Sequence, residues 1–96
     1  MINWNRVNEL RDEVGADDFD EVVTLFLEEV SAALDDIARD GPTPEDRHFL
    51  RGSAANLGFD GLALLCDQDA DTAALRECYD QSRARFLCDM EERLAV

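Results

Sequence analysis

At 96 residues the chain is long enough for one modest hydrophobic core and too short for two. Its composition, 46% hydrophobic and 33% charged, is that of a globular domain rather than a disordered segment. A formal net charge of −14 argues against nucleic acid and anionic membrane surfaces as partners, because both repel such a surface.

Five helical segments follow in chain order. Asn3 is placed to cap the first, whose apolar stripe is Trp4, Val7, Leu10 and Val14 and which Gly15 ends. Asp18 and Glu21 form a capping-box-like pair for the second. Its apolar set is Phe19, Val22, Val23, Phe26, Leu27, Val30, Ala33, Leu34 and Ile37, spaced by threes and fours, and Gly41-Pro42 stops it. Thr43-Pro44 supplies a cap and a first-turn proline for the third, which carries His48 in its second turn and ends at Gly58 with Phe59 folding back. Asp60 is the expected cap of a short fourth helix turning Leu62, Leu65 and Cys66 inward. Asp71 or Thr72 opens the fifth, striped by Leu75, Cys78, Tyr79, Phe86, Met90 and Leu94.

With connections this short, sequential helices should pack antiparallel. The expected architecture is all-α: residues 1–96 form a single domain, an antiparallel four-helix bundle from segments two to five with an additional short N-terminal helix. No stretch approaches the roughly 20 apolar residues that span a bilayer, and the first residues lack the basic and apolar regions of a secretion signal. Three cysteines without such a signal suggest free thiols and a cytoplasmic location. Cys66, Cys78 and Cys88 have no close ligand spacing and one histidine to join them, so no metal site is expected; Cys66 and Cys78 suit core positions.

The chemistry concentrates on His48, the one histidine. At about 100° per residue, Leu50, Ser53, Ala54 and Leu57 share one side of the third helix, and His48, Arg51, Gly52 and Ala55 the other. Imidazole, with an unperturbed pKa of about 6.5, is a good nucleophile near neutrality, and attack on phosphorus would give a labile phosphoramidate bond. Phosphoryl transfer needs in-line approach and so open space beside the ring. Gly52, one turn on, supplies that space at a cost of about 1 kcal/mol relative to alanine in a helix interior. Arg51 places a cation within reach of phosphoryl oxygens. The same residues fit a plainer description. His48 could be solvated surface, Arg51 could balance nearby carboxylates, and Gly52 could serve close helix packing. Ser53 and Asn56 flank this face and are expected to hold neighbouring helices or backbone. Spacing alone leaves both descriptions open.

The run His48-Phe49-Leu50-Arg51-Gly52-Ser53-Ala54-Ala55-Asn56-Leu57-Gly58 resembles the signature H-x-L-[KR]-G-S-A-x-x-L-G of histidine-containing phosphotransfer (HPt) domains. The likeness extends to Ile2-Asn3-Trp4, to Asp17-Asp18 and Phe26-Leu27-Glu28-Glu29, and to Gly61-Leu62 through Cys66. It implies a phosphorelay intermediate without autokinase activity, in which His48 accepts a phosphoryl group from a receiver-domain aspartyl phosphate and passes it to another receiver aspartate. Arg51 would stabilise phosphoryl charge and Gly52 would give clearance. Response-regulator receiver domains and a sensor or hybrid histidine kinase would be the partners, with Mg²⁺ on the receiver and no cofactor of the chain's own. One departure is visible. Where the family often has Gln or Glu on its fourth helix near the phosphohistidine, this chain has Ala70, with Gln68 and Asp69 out of register. Leu64, off the inward face of that helix, is a candidate receiver contact, and a closed bundle favours a monomer. An autonomous kinase is excluded, since no Gly-rich phosphate loop is present. A hydrolase would need a cleft and a group orienting the histidine. The alternative is a non-catalytic helical interaction module that keeps the fold without relay activity.

Overall fold

A computed structural model describes residues 2–41, 43–68 and 70–94, with the side chains of Glu91, Arg93 and Leu94 outside that description. Pro42 and the Leu94 side chain, both assigned roles above, therefore lie outside the described residues. The helices are α1 (Trp4–Val14), α2 (Ala16–Asp40), α3 (Pro44–Leu57), α4 (Asp60–Asp67) and α5 (Thr72–Leu94). The protein is all-helical among the described residues, apart from one isolated antiparallel bridge between Ile2 and Phe59.

Three of the expected caps form. Asn3 Oδ1 accepts the Arg6 N–H at 3.1 Å, and Asp71 Oδ1 accepts the Ala74 N–H at 2.8 Å, which selects Asp71 over Thr72. At α3, Thr43 Oγ1 accepts the Asp46 N–H at 3.1 Å while Asp46 Oδ2 accepts the Thr43 N–H at 3.4 Å. This is a reciprocal box with Pro44 in the first turn.

Two expected caps do not form. α2 begins at Ala16, not after Asp18. The Gly15 N–H closes α1 onto the Arg11 carbonyl at 2.9 Å, and the Gly15 carbonyl then accepts the Asp18 N–H at 3.2 Å. One residue thus ends one helix and opens the next, so Asp18 is already helical and cannot act as a cap. Asp17 and Asp18 instead put negative charge in the first turn, where the helix dipole favours it. In α4 the cap position belongs to Phe59, whose carbonyl accepts the Ala63 N–H at 3.1 Å, and Asp60 is the first helical residue.

Helix α2 packs against α1, α3 and α5, while α4 packs against α3 and α5, and α1 also touches α3. α3 and α4 run in opposite directions, since Arg47 reaches the Ala70 carbonyl and Arg51 reaches Asp67. α2 and α5 do likewise, with Asp35 paired to Arg76 and the Leu27 carbonyl bonded to Tyr79. The longest dimension, 41 Å, is close to the roughly 37 Å of a 25-residue helix such as α2. The expected stripes supply the core. Val30, Ile37, Leu50, Leu57, Leu62, Leu75 and Phe86 are fully buried; Phe26, Leu65, Cys78 and Met90 lie at its margin, and Val22 is half-buried. Ser82, absent from the expected stripe, is buried between Tyr79 and Phe86, with its Oγ 3.9 Å from Cys78 Sγ.

The end of α3 is where most elements meet. Gly58 adopts φ +89°, a left-handed conformation. Its N–H bonds to the Ala55 carbonyl at 3.2 Å, and the Phe59 N–H bonds to the Ala54 carbonyl at 2.8 Å, the paired pattern of a Schellman end. The Gly58 carbonyl accepts the Asn3 N–H at 2.7 Å, tying down the start of α1. Arg6 Nε adds a bond to the Asn56 carbonyl at 3.0 Å. Phe59 is fully buried, with its ring 5.5 Å from Phe86 and 6.5 Å from Tyr79 between centroids. Trp4 stacks on Phe86 with ring centroids 5.5 Å apart. A Cβ on Gly58 would lie 2.8 Å from the Asn3 carbonyl oxygen and 2.9 Å from Val7 Cγ2. Gly58→Ala therefore combines left-handed strain with a clash, and should cost about 2–4 kcal/mol in urea unfolding. A loss below about 1 kcal/mol would show that this junction is not tightly specified.

Candidate functional site

α3 divides cleanly into two faces. Leu50, Ser53, Ala54 and Leu57 are buried, while His48, Arg51, Gly52, Ala55 and Asn56 are exposed. The expected division of the helix is therefore the observed one. Burial of Leu50, Ala54 and Leu57 fixes how α3 can rotate, and that orientation turns His48 outward. The capping box and Pro44 set the start of the helix one turn before His48, so the imidazole rises from a stiff, capped segment. No hydrogen bond or ion pair engages His48 among the described residues.

The surroundings of Gly52 remove one of the explanations that spacing leaves open. A Cβ built on it meets nothing within 4 Å. No neighbouring helix needs this glycine, and so close packing does not account for it. What it leaves is open space on the imidazole's side of the helix, extended one turn further by Ala55.

Arg51 is not a lone cation. Its Nε lies 2.6 Å from Oδ1 of Asp67, the last residue of α4, with both side chains about half exposed at 51% and 52%. Asp67 was not among the sequence candidates. A signal for it existed, because a carboxylate at a helix C-terminus opposes the helix dipole and wants a cation nearby. Arg47, one residue before His48, was also missed. It turns toward the C-terminal end of α4, where its Nη2 donates to the Ala70 carbonyl at 2.7 Å in a partly buried position. Two arginines on either side of His48 in sequence thus pin α3 to the end of α4 and to the segment just after it.

The fourth-helix region offers the imidazole no side-chain donor at Ala70, which is half-buried against the core. Gln68 is exposed beyond the end of α4, and Asp69 lies outside the described residues. Leu64 is 56% exposed. It stands one turn before Asp67, and Ala55 stands one turn after Arg51. Since α3 and α4 run oppositely, Leu64 and Ala55 continue the same surface past the Arg51–Asp67 pair. Phe49, 46% exposed, lies on the other flank of His48.

The remaining reactive groups are elsewhere. Cys66 is buried, and that burial pushes its thiol up to about 11, so it is protonated at neutral pH and a poor nucleophile. Cys78 is half-buried and Cys88 exposed. No group of three or more metal-ligating side chains is present among the described residues. An open groove between α2 and α5, lined by Leu27, Tyr79, Arg83 and Leu87 among others, does not include His48. No helix among the described residues is long and apolar enough to cross a membrane. Comparison with protein-family models, with curated proteins and with solved structures finds no match.

Because nothing surrounds Gly52, its replacement by alanine should stabilise the fold by about 0.5–1 kcal/mol, the helix-propensity difference. Thermal or urea melts of Gly52→Ala measure this directly. A destabilised variant would mean that the glycine serves the fold after all.

Proposed function

We infer that this chain is a histidine phosphotransfer protein of a two-component phosphorelay, folded as a four-helix bundle of α2–α5 with α1 laid against it. The observation that carries this reading is the pairing of an exposed, unengaged imidazole with a helical glycine that the fold does not use. A helix interior that gives up propensity for empty space beside a nucleophile is suited to close approach by a second protein. The motif likeness from His48 to Gly58 points the same way, and the closed ring of helix contacts suits a bundle.

In the forward step, a ring nitrogen of neutral His48 uses its lone pair to form an N–P bond. The O–P bond of a receiver's aspartyl phosphate breaks, and its electron pair leaves with the aspartate carboxylate. The ring's other nitrogen can release its proton to solvent, which an exposed imidazole permits. In the onward step a second receiver's carboxylate attacks, and the N–P pair returns to the ring. The transition state is loose and in line, so positioning and charge do most of the work. Gly52 and Ala55 leave room for the incoming domain, and Arg51 offsets phosphoryl charge. The receiver supplies magnesium and the acidic pocket; this chain supplies no nucleotide site and no kinase activity of its own. A sensor or hybrid histidine kinase stands upstream, and the setting is the cytoplasm, with the chain a monomer.

The rival is a helical interaction module without relay chemistry. Arg51's existing partner and the absence of a polar side chain at Ala70 are the observations on its side. Two experiments separate the readings. Mixed with a receiver bearing labelled aspartyl phosphate, the protein should gain label in an acid-labile, alkali-stable form, and His48→Gln should gain none while keeping its helical circular dichroism. Equal labelling of His48→Gln would remove the acceptor assignment. Gly52→Phe should slow transfer by at least about tenfold, equivalent to roughly 1.4 kcal/mol of barrier, with a melting curve close to that of the wild type. An unchanged transfer rate would remove the clearance argument.

A further inference from the structure

Arg51 and Asp67 form an ion pair between α3 and the end of α4. Asp67 ends α4, Arg51 sits one turn after His48, and a separation of 2.6 Å makes this one of the closest charge contacts in the molecule. The contact uses Nε of the guanidinium, and no other partner of Arg51 is present among the described residues. Both side chains are about half exposed, so neither is held by burial, and the pair can open at modest cost. A phosphoryl group on the imidazole would bring close to two negative charges and three acceptor oxygens to the same helix face. Residues three apart on a helix are neighbours, so those oxygens and the Asp67 carboxylate would draw on one guanidinium.

We propose that Asp67 is a positioning residue that restrains Arg51, so that the guanidinium's hold on a phosphoryl group at His48 is set by competition with this carboxylate. The consequence is a phosphohistidine kept energetically high, and therefore ready to give its phosphoryl group away. This rests on the phosphotransfer reading above and adds to it a residue outside the motif.

The test needs no cognate receiver. Phosphoramidate serves as donor: a ring nitrogen of His48 forms the N–P bond, the donor's P–N bond breaks, ammonia leaves with the electron pair, and the ring's proton passes to solvent. The titration of the resulting phosphohistidine is then followed by ³¹P NMR against pH in four proteins: wild type, Asp67→Asn, Arg51→Ala and the double variant. Among the described residues, the other charges near this end of α3 are Glu45, Asp46 and Arg47 on α3 itself. Asp71 follows α4, and Asp36, Arg39 and Asp40 end α2. All are common to the four proteins, so differences isolate the pair. Freeing Arg51 favours the dianion, so Asp67→Asn should lower the phosphoryl midpoint by about half a pH unit, the scale of an exposed charge pair. Arg51→Ala should raise it. In the Arg51→Ala background, the further change to Asn at Asp67 should have less than half its single-variant effect.

Equal effects of Asp67→Asn in both backgrounds would show the carboxylate acting by its own charge, and would overturn the proposal. So would an unmoved midpoint, which is what a purely structural role at the end of α4 gives. Wild-type protein that takes no phosphoryl group on His48, with its helicity intact, would instead remove the phosphotransfer reading and this inference with it.

Discussion

The turn at Gly58-Phe59 is the constraint on which the rest of the molecule depends. Its left-handed glycine ends α3, and its carbonyl fixes the start of α1. The following phenylalanine opens α4 and fills the core against α5 through Tyr79 and Phe86. Four helices thus take their relative positions from two residues. Tyr79 extends this network to α2, since its hydroxyl donates to the Leu27 carbonyl at 3.0 Å within the core. Burial raises the Tyr79 pKa, and so favours the neutral form that makes this bond.

Holding the far end of α3 this firmly has an effect on its near end. With Leu50, Ala54 and Leu57 fully buried, the helix has one rotational setting, and every residue on its outer face inherits a fixed direction. The core specifies where His48 points without contacting it. The arginines on either side do a different job. Arg47 reaches the Ala70 carbonyl just after α4 and Arg51 reaches the carboxylate that ends α4, so the short fourth helix is tied at its C-terminal end. A surface rich in carboxylates supplies many possible partners for a guanidinium, but α4's C-terminal acid is the one that antiparallel packing brings alongside. Polar contacts here set register between helices, whereas apolar burial sets their orientation.

Much of this was legible in the residues. Helical periodicity identified both faces of α3, and cap chemistry located Asn3 and Thr43 and narrowed the fifth cap to Asp71 or Thr72, because each signal is local. The errors arose where a neighbouring requirement overrode a local one. Asp18-x-x-Glu21 has the form of a cap, yet Gly15 hands α1 directly to α2 and leaves no non-helical residue for that cap to occupy. Asp60 is a good cap residue by type, but Phe59 must enter the core, which puts the helix start one position earlier. Ser82 escaped notice because a hydroxyl breaks an apolar pattern, even though its spacing from Tyr79 and Phe86 is helical. Asp67's place at a helix C-terminus asked for a cation, but its pairing with Arg51, like the Arg47–Ala70 bond, was beyond reach for a different reason. They depend on which residues of α3 and α4 come abreast, and no single helix encodes that.

The clasp between the beginning of the chain and the end of α3 has an implication for how the protein is made. Fifty residues separate Arg6 from Asn56, so α1 leaves the ribosome long before the part of its docking surface that α3 supplies exists. Closing so long a loop carries an entropic cost that is met only once α3 has its proper end. α1, although made before α3, should therefore be among the last of these helices to settle. During that interval Trp4 and Val7 stay uncovered, a vulnerability to premature association that a growing acidic chain offsets by electrostatic repulsion.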